Sequence, residues 1–354
     1  SALTLASAGA QAEDTSAPLE VLEVFAARES RVPGTLPSLQ NGKLFAGKKT
    51  SLVDLSEQPN FVEPNLRQLF SRLPGLFVSD QAIPSIYNVN YRGLGNPHES
   101  EFLAFFQNAV PLAADPFGYP TMYYMPAAQR VERIEFVRGG AGLLYGPQIG
   151  PVMNMVTRQA DAQTDFAFRT DQATGSNGLY STYNEVQGAA GDVGFMASFD
   201  HRSADGPRDN EDYDVNSAYL GLSYEGFEGI RLGFDLDLYQ SDSGEAGRLS
   251  SSEFRRNRSL VKTPFNRVEI DQVVATLTYE QQVSETVSLD GRAWHLSMDR
   301  LSRRSAQFTD PANAPSTTAI DEQQFRNYGL DLRTAVAWGA NHVLTGGVTA
   351  YRND

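Results

Sequence analysis

Cysteine is absent from the 354 residues, which removes disulfides, cysteine-based zinc sites and thiol catalysis together. No run of roughly 18 apolar residues occurs, so no segment qualifies as a membrane-spanning helix. Histidine is scarce. His98, His201, His295 and His342 are the whole set, and their spacing fits no metal motif. A G-x-S-x-G elbow is also missing, so a hydrolase would need a triad dispersed beyond recognition. Basic residues are outnumbered, 29 Lys and Arg against 43 Asp and Glu, for a formal charge of −14. Nucleic acid is thereby excluded as a natural partner, because its phosphates would be repelled. The chain reads as a non-enzyme.

What is present favours strands and turns: 30 Gly, 15 Tyr and 20 Phe. A hydrophobic content of 41% excludes wholesale disorder. The opening SALTLASAGAQAED reads as the end of a secretory signal over residues 1–12, with Ala10-Gln11-Ala12 as a small-x-small cleavage site. An ordinary Ala/Ser-rich terminus is the alternative. Up to about residue 160 the pattern is irregular. Leu66, Leu69, Phe70 and Leu73 make one apolar helical stripe, entered at Pro64 and stopped by Pro74-Gly75. Short strand-like runs at 85–91, 102–107, 131–137 and 152–157 complete a small α+β domain.

Beyond residue 160 the chain settles into period two. In IRLGFDLDLYQ, Ile230, Leu232, Phe234, Leu236 and Leu238 point one way, and Arg231, Gly233, Asp235, Asp237 and Tyr239 the other. About nine strands follow: 164–174, 178–190, 193–204, 213–226, 229–241, 268–282, 285–303, 323–338 and 341–353. Alternate joins are tight (Gly191-Asp192, Gly226–Glu228, Ser284-Glu285, Gly339-Ala340), whereas 205–212, 242–267 and 304–322 are long. A sandwich has no such parity. Short turns on one side and long loops on the other are the mark of a transmembrane β-barrel.

Between the halves lies RVERIEFVRGGAGLLYGPQIGPVMNMVTR, residues 130–158. Its glycines invite a dinucleotide reading, but Tyr145 occupies the third glycine position and Pro147 and Pro151 fall where the helix should run. Two strands joined by a glycine-permitted turn remain. Here the residues resemble a known family. Arg138-Gly139, Leu144-Tyr145-Gly146 and Asn154-Met155-Val156-Thr157-Arg158 resemble the end of the plug domain of TonB-dependent outer-membrane receptors. Leu73-Pro74-Gly75, Tyr91-Arg92-Gly93-Leu94, Val110-Pro111-Leu112 and Val131-Glu132-Arg133-Ile134-Glu135 follow the family's order. Arg92-Gly93-Leu94, Asp115-Pro116-Phe117-Gly118 and Tyr145-Gly146-Pro147-Gln148 look most like ferric dicitrate receptors. Asn108-Ala109 stands where the family has Asp-Gly, and Gly150-Pro151-Val152-Met153 where it has Gly-Gly-Val-Ile. Family barrels have 22 strands, so the chain is expected to be the N-terminal portion of a longer receptor.

The resemblance implies a division into a TonB-box region (13–26), a plug (27–160) and a partial barrel (161–354). The TonB box, which pairs as an added strand with TonB and its inner-membrane energising complex, is placed at Leu19, Glu20, Val21, Leu22, Glu23 and Val24. The same segment could instead be the first plug strand. Plug structure is assigned to Arg92, Gly93, Arg133, Glu135, Arg138, Gly139, Tyr145 and Gly146, with the four charged residues expected in plug–barrel ion pairs. Ligand contact is assigned to Arg255, Arg256, Arg258, Arg303 and Arg304 in the long loops. Gln81, His98, Tyr119, Tyr123 and Tyr124 join them at the plug apices. Guanidinium forks suit a carboxylate-rich ferric chelate. These arginines could also bridge phosphates of outer-membrane lipid or balance acidic neighbours, and the apical residues could simply pack on the wall. No resident metal or cofactor is expected, since the iron travels inside the chelate. Other cargoes are a larger siderophore, a cobalamin or an oligosaccharide; an exported β-rich adhesion module is the rival outside the family.

Overall fold

The computed structural model describes residues 34–55, 70, 72–79, 88–94, 102–112, 123–146, 150–304, 319–338 and 342–354. The signal end, the TonB-box segment, most of the expected helix, and Gln81, His98 and Tyr119 lie outside them. Of the helical stripe, Phe70 is helical and, with Leu73, buried.

Among the described residues the first half contains nine short strands: β1 (Leu39–Gln40), β2 (Lys43–Leu44), β3 (Lys49–Asp54), β4 (Leu76–Ser79), β5 (Asn88–Tyr91), β6 (Ala104–Gln107), β7 (Val110–Pro111), β8 (Val131–Arg138) and β9 (Val152–Thr157). Its main sheet runs β3-β8-β9-β6-β7, with β6 and β9 parallel and the other neighbours antiparallel. The centre of the sheet is covered on both faces. Ile134, Phe136 and Val137 on β8, and Val152, Met153 and Met155 on β9, are fully buried. Apolar residues buried on both sides are what a strand covered on both faces requires, and the polar Glu135 and Asn154 are buried among them.

Among the described residues the second half is one antiparallel meander of nine strands in chain order. They are β10 (Ala167–Thr174), β11 (Tyr180–Ala190), β12 (Val193–Ala204), β13 (Tyr213–Phe227), β14 (Ile230–Gly244), β15 (Arg267–Ser284), β16 (Val287–Arg304), β17 (Ala319–Trp338) and β18 (His342–Asn353). The period-two reading located all nine. It missed most at β17, which begins four residues before the expected 323, and next at β10 and β14, each three residues off at one end.

The sheet has inverted polarity. On β14, Asp235, Asp237, Tyr239, Ser241 and Ser243 are buried, while Leu232 and Leu238 are exposed. Leu220 and Leu222 of β13 are exposed too, paired in register with Leu236 and Phe234 of β14. Tyr219 and Ser223 face inward and are buried. Polar residues are thus covered by the plug while a band of Leu, Val and Phe faces out. Water would reject that band, whereas hydrocarbon suits it.

Candidate functional site

Two of the long connections meet at one end of the barrel. Asn210, held at φ +57°, donates through Nδ2 to the carbonyls of Glu245 (3.2 Å), Thr263 (2.8 Å) and Asn266 (3.0 Å). Arg208 Nη1 donates to Gly247 O and Leu260 O, each at 2.9 Å, and the same guanidinium pairs with Glu211. One loop therefore clamps the other through five carbonyl contacts. Helix α1 (Ser251–Arg256) rises from the clamped loop behind a full capping box: Ser250 Oγ accepts from Glu253 N–H, and Glu253 accepts from Ser250 N–H. Those bonds from Ser250 hold the Glu253 carboxyl down to about 2. The ordered turn presents Arg255, Arg256 and Arg258 to solvent, with the Arg258 guanidinium 5.3 Å from the Phe254 ring centroid. No described carboxylate comes within the 4.0 Å of an ion pair to these three.

The other two nominated arginines differ. Arg303 pairs with Glu269 at 2.9 Å, and Arg304 pairs with Glu245. Their charge is already compensated by acids on the neighbouring strand and loop. Tyr123 lies half-buried beneath the guanidinium of Arg300, 5.0 Å from its ring centroid. Tyr124 is a correction. Its side chain is buried, its hydroxyl donates to Gln107 Oε1 at 2.8 Å, and its ring meets Tyr239 of the wall edge-on at 5.1 Å. It packs plug against barrel and has no open face for a ligand.

The charged plug residues also need correction. Arg133 pairs with Glu132 (2.9 Å) and Glu135 (3.1 Å) along β8. Glu135 is buried and accepts further from Gln40, Tyr145 and Asn154. Arg138 donates to Thr50 O and Ser51 Oγ on β3. Arg92, in the turn with Gly93, lies beside the Tyr91 ring. Arg133, Glu135 and Arg138 serve the plug's own strands, and Arg92 flanks the β5 turn. Gly139 opens a 3-10 turn that Tyr145 closes, with the Tyr145 ring on Phe106 at 5.2 Å. Gly146 follows at φ +112°, open only to glycine, and a Cβ on Gly150 would overlap the Phe102 carbonyl. The glycines of this stretch make a tight backbone crossing, not a phosphate cradle.

Different residues bind plug to wall. Arg130, buried, pairs with Asp237 of β14 and stacks 3.5 Å from the Tyr219 ring centroid. Gln107 Nε2 donates to the other Asp237 oxygen at 3.1 Å, and Gln159 Nε2 to Asp235 at 2.9 Å. Arg158 grips Glu185 of β11 with two nitrogens, at 2.6 and 2.5 Å. A second foothold lies across the plug, where Lys43 of β2 reaches Asp331 of β17 at 3.7 Å and Arg333 donates to Leu144 O at 2.7 Å. Arg130 and Asp237 are 107 residues apart, so no local pattern announces them.

Residues 49–150 match the family model of the TonB-dependent Receptor Plug Domain. Over 146 residues, 41% of this chain and 23% of the relative, the sequence is 27% identical to the vitamin B12 transporter BtuB of Photobacterium profundum. The unliganded ferric citrate transporter FecA superposes with a TM-score of 0.71 at 19% identity, covering 86% of this chain and 47% of that one. The pyoverdine outer membrane receptor FpvA from Pseudomonas aeruginosa PAO1 also reaches 0.71, at 16% identity over 92% of this chain and 50% of that one. At such identities the structural likeness is one of fold. The chain spans about half the length of these two structures. The plug model matches where the plug lies, and the strands beyond it share the fold of the two structures on which they superpose.

Proposed function

We propose that this receptor takes up an anionic ferric chelate, ferric citrate or a similar carboxylate-bearing siderophore, across the outer membrane. The supporting observation is the clamped loop. Arg255, Arg256 and Arg258 are exposed on an ordered turn, without acidic partners among the described residues, in a chain of net charge −14. Guanidinium forks bind carboxylates bidentately, and a loop already held in shape loses little entropy on binding. Tyr123, with Gln81, His98 and Tyr119 of the plug, would complete the pocket from below. Iron is cargo inside the chelate, so no bond is made or broken by the protein and no cofactor is required. The Leu19–Val24 segment would add as a strand to TonB, whose inner-membrane complex supplies the work. Outer-membrane lipid covers the outward apolar band.

The test is charge reversal. Arg255, Arg256 and Arg258 are replaced together by Glu in the detergent-solubilised receptor, and ferric citrate binding is titrated. Binding should be abolished while the barrel stays folded; unchanged binding of every anionic chelate refutes the reading. The identity to a vitamin B12 transporter supports cobalamin as a second reading. Cyanocobalamin binding that survives the charge reversal would favour it.

A further inference from the structure

Between the plug and strands β14–β16, on the short-turn half of the wall, lies a crevice of about 270 Å³. Most of its charges pair off. Arg133 is engaged by Glu132 and Glu135. Arg231 reaches Glu225 at 3.3 Å and Glu280 at 3.6 Å. Asp161 accepts the Gln163 N–H at 2.6 Å. Arg292 is left over. It lines the crevice and the small gap beside it, no described carboxylate lies within ion-pair distance, and its buried Nε has no hydrogen-bond partner.

Lys43 faces the same space. Its ammonium sits 5.1 Å from the Tyr145 ring centroid and, among the described residues, reaches a single carboxylate, Asp331, at 3.7 Å. Arg333 and Asp331 face it from β17, Arg292 and Asp290 from β16, and Glu280 from β15. Burial first, then the repulsion of Arg333 and Arg292, bring the lysine down to about 7 despite the two aspartates. Three cations and three acids line this gap, but Arg292 has no ion-pair partner among the described residues, and an open volume adjoins it.

We propose that this crevice is a second, inward-facing anion site, in which Arg292 and Lys43 hold a small carboxylate-bearing anion. The choice of carboxylate rests on the chelate-uptake reading; the anion itself does not. The volume is at the low end for small-molecule pockets, so the iron-free chelator fits the site better than a bulky metal complex. The anion would give Arg292 the partner it lacks and restore a charged lysine.

Iron-free citrate, titrated calorimetrically into the detergent-solubilised receptor at pH 7.5, tests this. With its titration near 7, Lys43 is about three-quarters neutral at that pH, so citrate binding should take up roughly half a proton or more. Buffers of different ionisation enthalpy reveal that uptake. Arg292→Gln should weaken citrate at least tenfold and abolish the uptake, and Arg292→Lys should retain part of both. Absent citrate binding, binding unchanged in Arg292→Gln, or binding without proton uptake overturns the site. Inorganic phosphate binding equally well overturns the carboxylate assignment. The loop variant keeps the two readings separate: ferric citrate binding that survives loop reversal, with Arg292-dependent citrate binding intact, refutes the loop and leaves the crevice.

Discussion

Arg130→Met should loosen the plug from the wall by about 3 kcal/mol, the low end of the usual cost of stranding one half of a buried ion pair. The residue left behind is Asp237, whose side chain is 8% exposed. After the change its only remaining plug partner among the described residues is the Gln107 amide at 3.1 Å. Tyr219 also loses a guanidinium stacked on its face, about 1–2 kcal/mol when desolvated. Against this, Met removes the buried Arg130 Nε, which lacks a partner, so the low end is the better figure. The reporter is built in. Of the two tryptophans, Trp294 is buried in the core shared by plug and wall, whereas Trp338 is exposed. In a Trp338→Phe background, Trp294 fluorescence during urea unfolding in detergent follows release of the plug. With a urea slope of about 1–1.5 kcal/mol per molar, the midpoint should fall by roughly 2–3 M. Arg130→Met combined with Asp237→Leu should recover most of the loss, because no charge is stranded. Costs that simply add in the double variant would refute the idea that this pair anchors the plug.

Two further substitutions probe other parts of the argument. Ala109 sits at φ +63° in the β6–β7 turn, after Asn108 at +49°, so Ala109→Gly should raise the same urea midpoint by about 1 kcal/mol worth of stability; a lower midpoint contradicts the strain. Leu220 faces outward between Ala197 and Leu236, and Leu220→Arg should cost about 2–4 kcal/mol if that face meets lipid. Reduced heat-resistant folded barrel on a cold gel would show it, and wild-type yield would argue against a lipid-facing band.

What could be read from the sequence and what could not divides along contact distance. Alternation along a strand is local, so IRLGFDLDLYQ shows two faces without reference to the rest of the chain. Loop parity is nearly as local, and together they gave the nine strands. The same alternation correctly put Asp235, Asp237 and Tyr239 on the polar side. It could not say that the polar side is the buried one for this wall, since that depends on a plug filling the space. Arg130 looked like the last residue of a loop before β8, while Arg133, Glu135 and Arg138 drew notice because they lie in the family-like motif. The motif charges turn out to hold the plug's own sheet together, through partners such as Gln40, Thr50 and Asn154. Wall contacts fall instead on Lys43, Arg130 and Arg158, each placed just where the chain enters or leaves a sheet strand or within a two-residue hairpin. That division has a physical cause. A charge in the middle of β8 is enclosed by neighbouring strands and must be satisfied there, whereas a long side chain at a strand end can reach across to an acid on the barrel. Among the loop arginines the logic runs the other way. Arg303 and Arg304 lie at the end of β16, where Glu269 and Glu245 are within reach, whereas Arg255, Arg256 and Arg258, carried outward on α1 and just past it, have no acidic partner among the described residues.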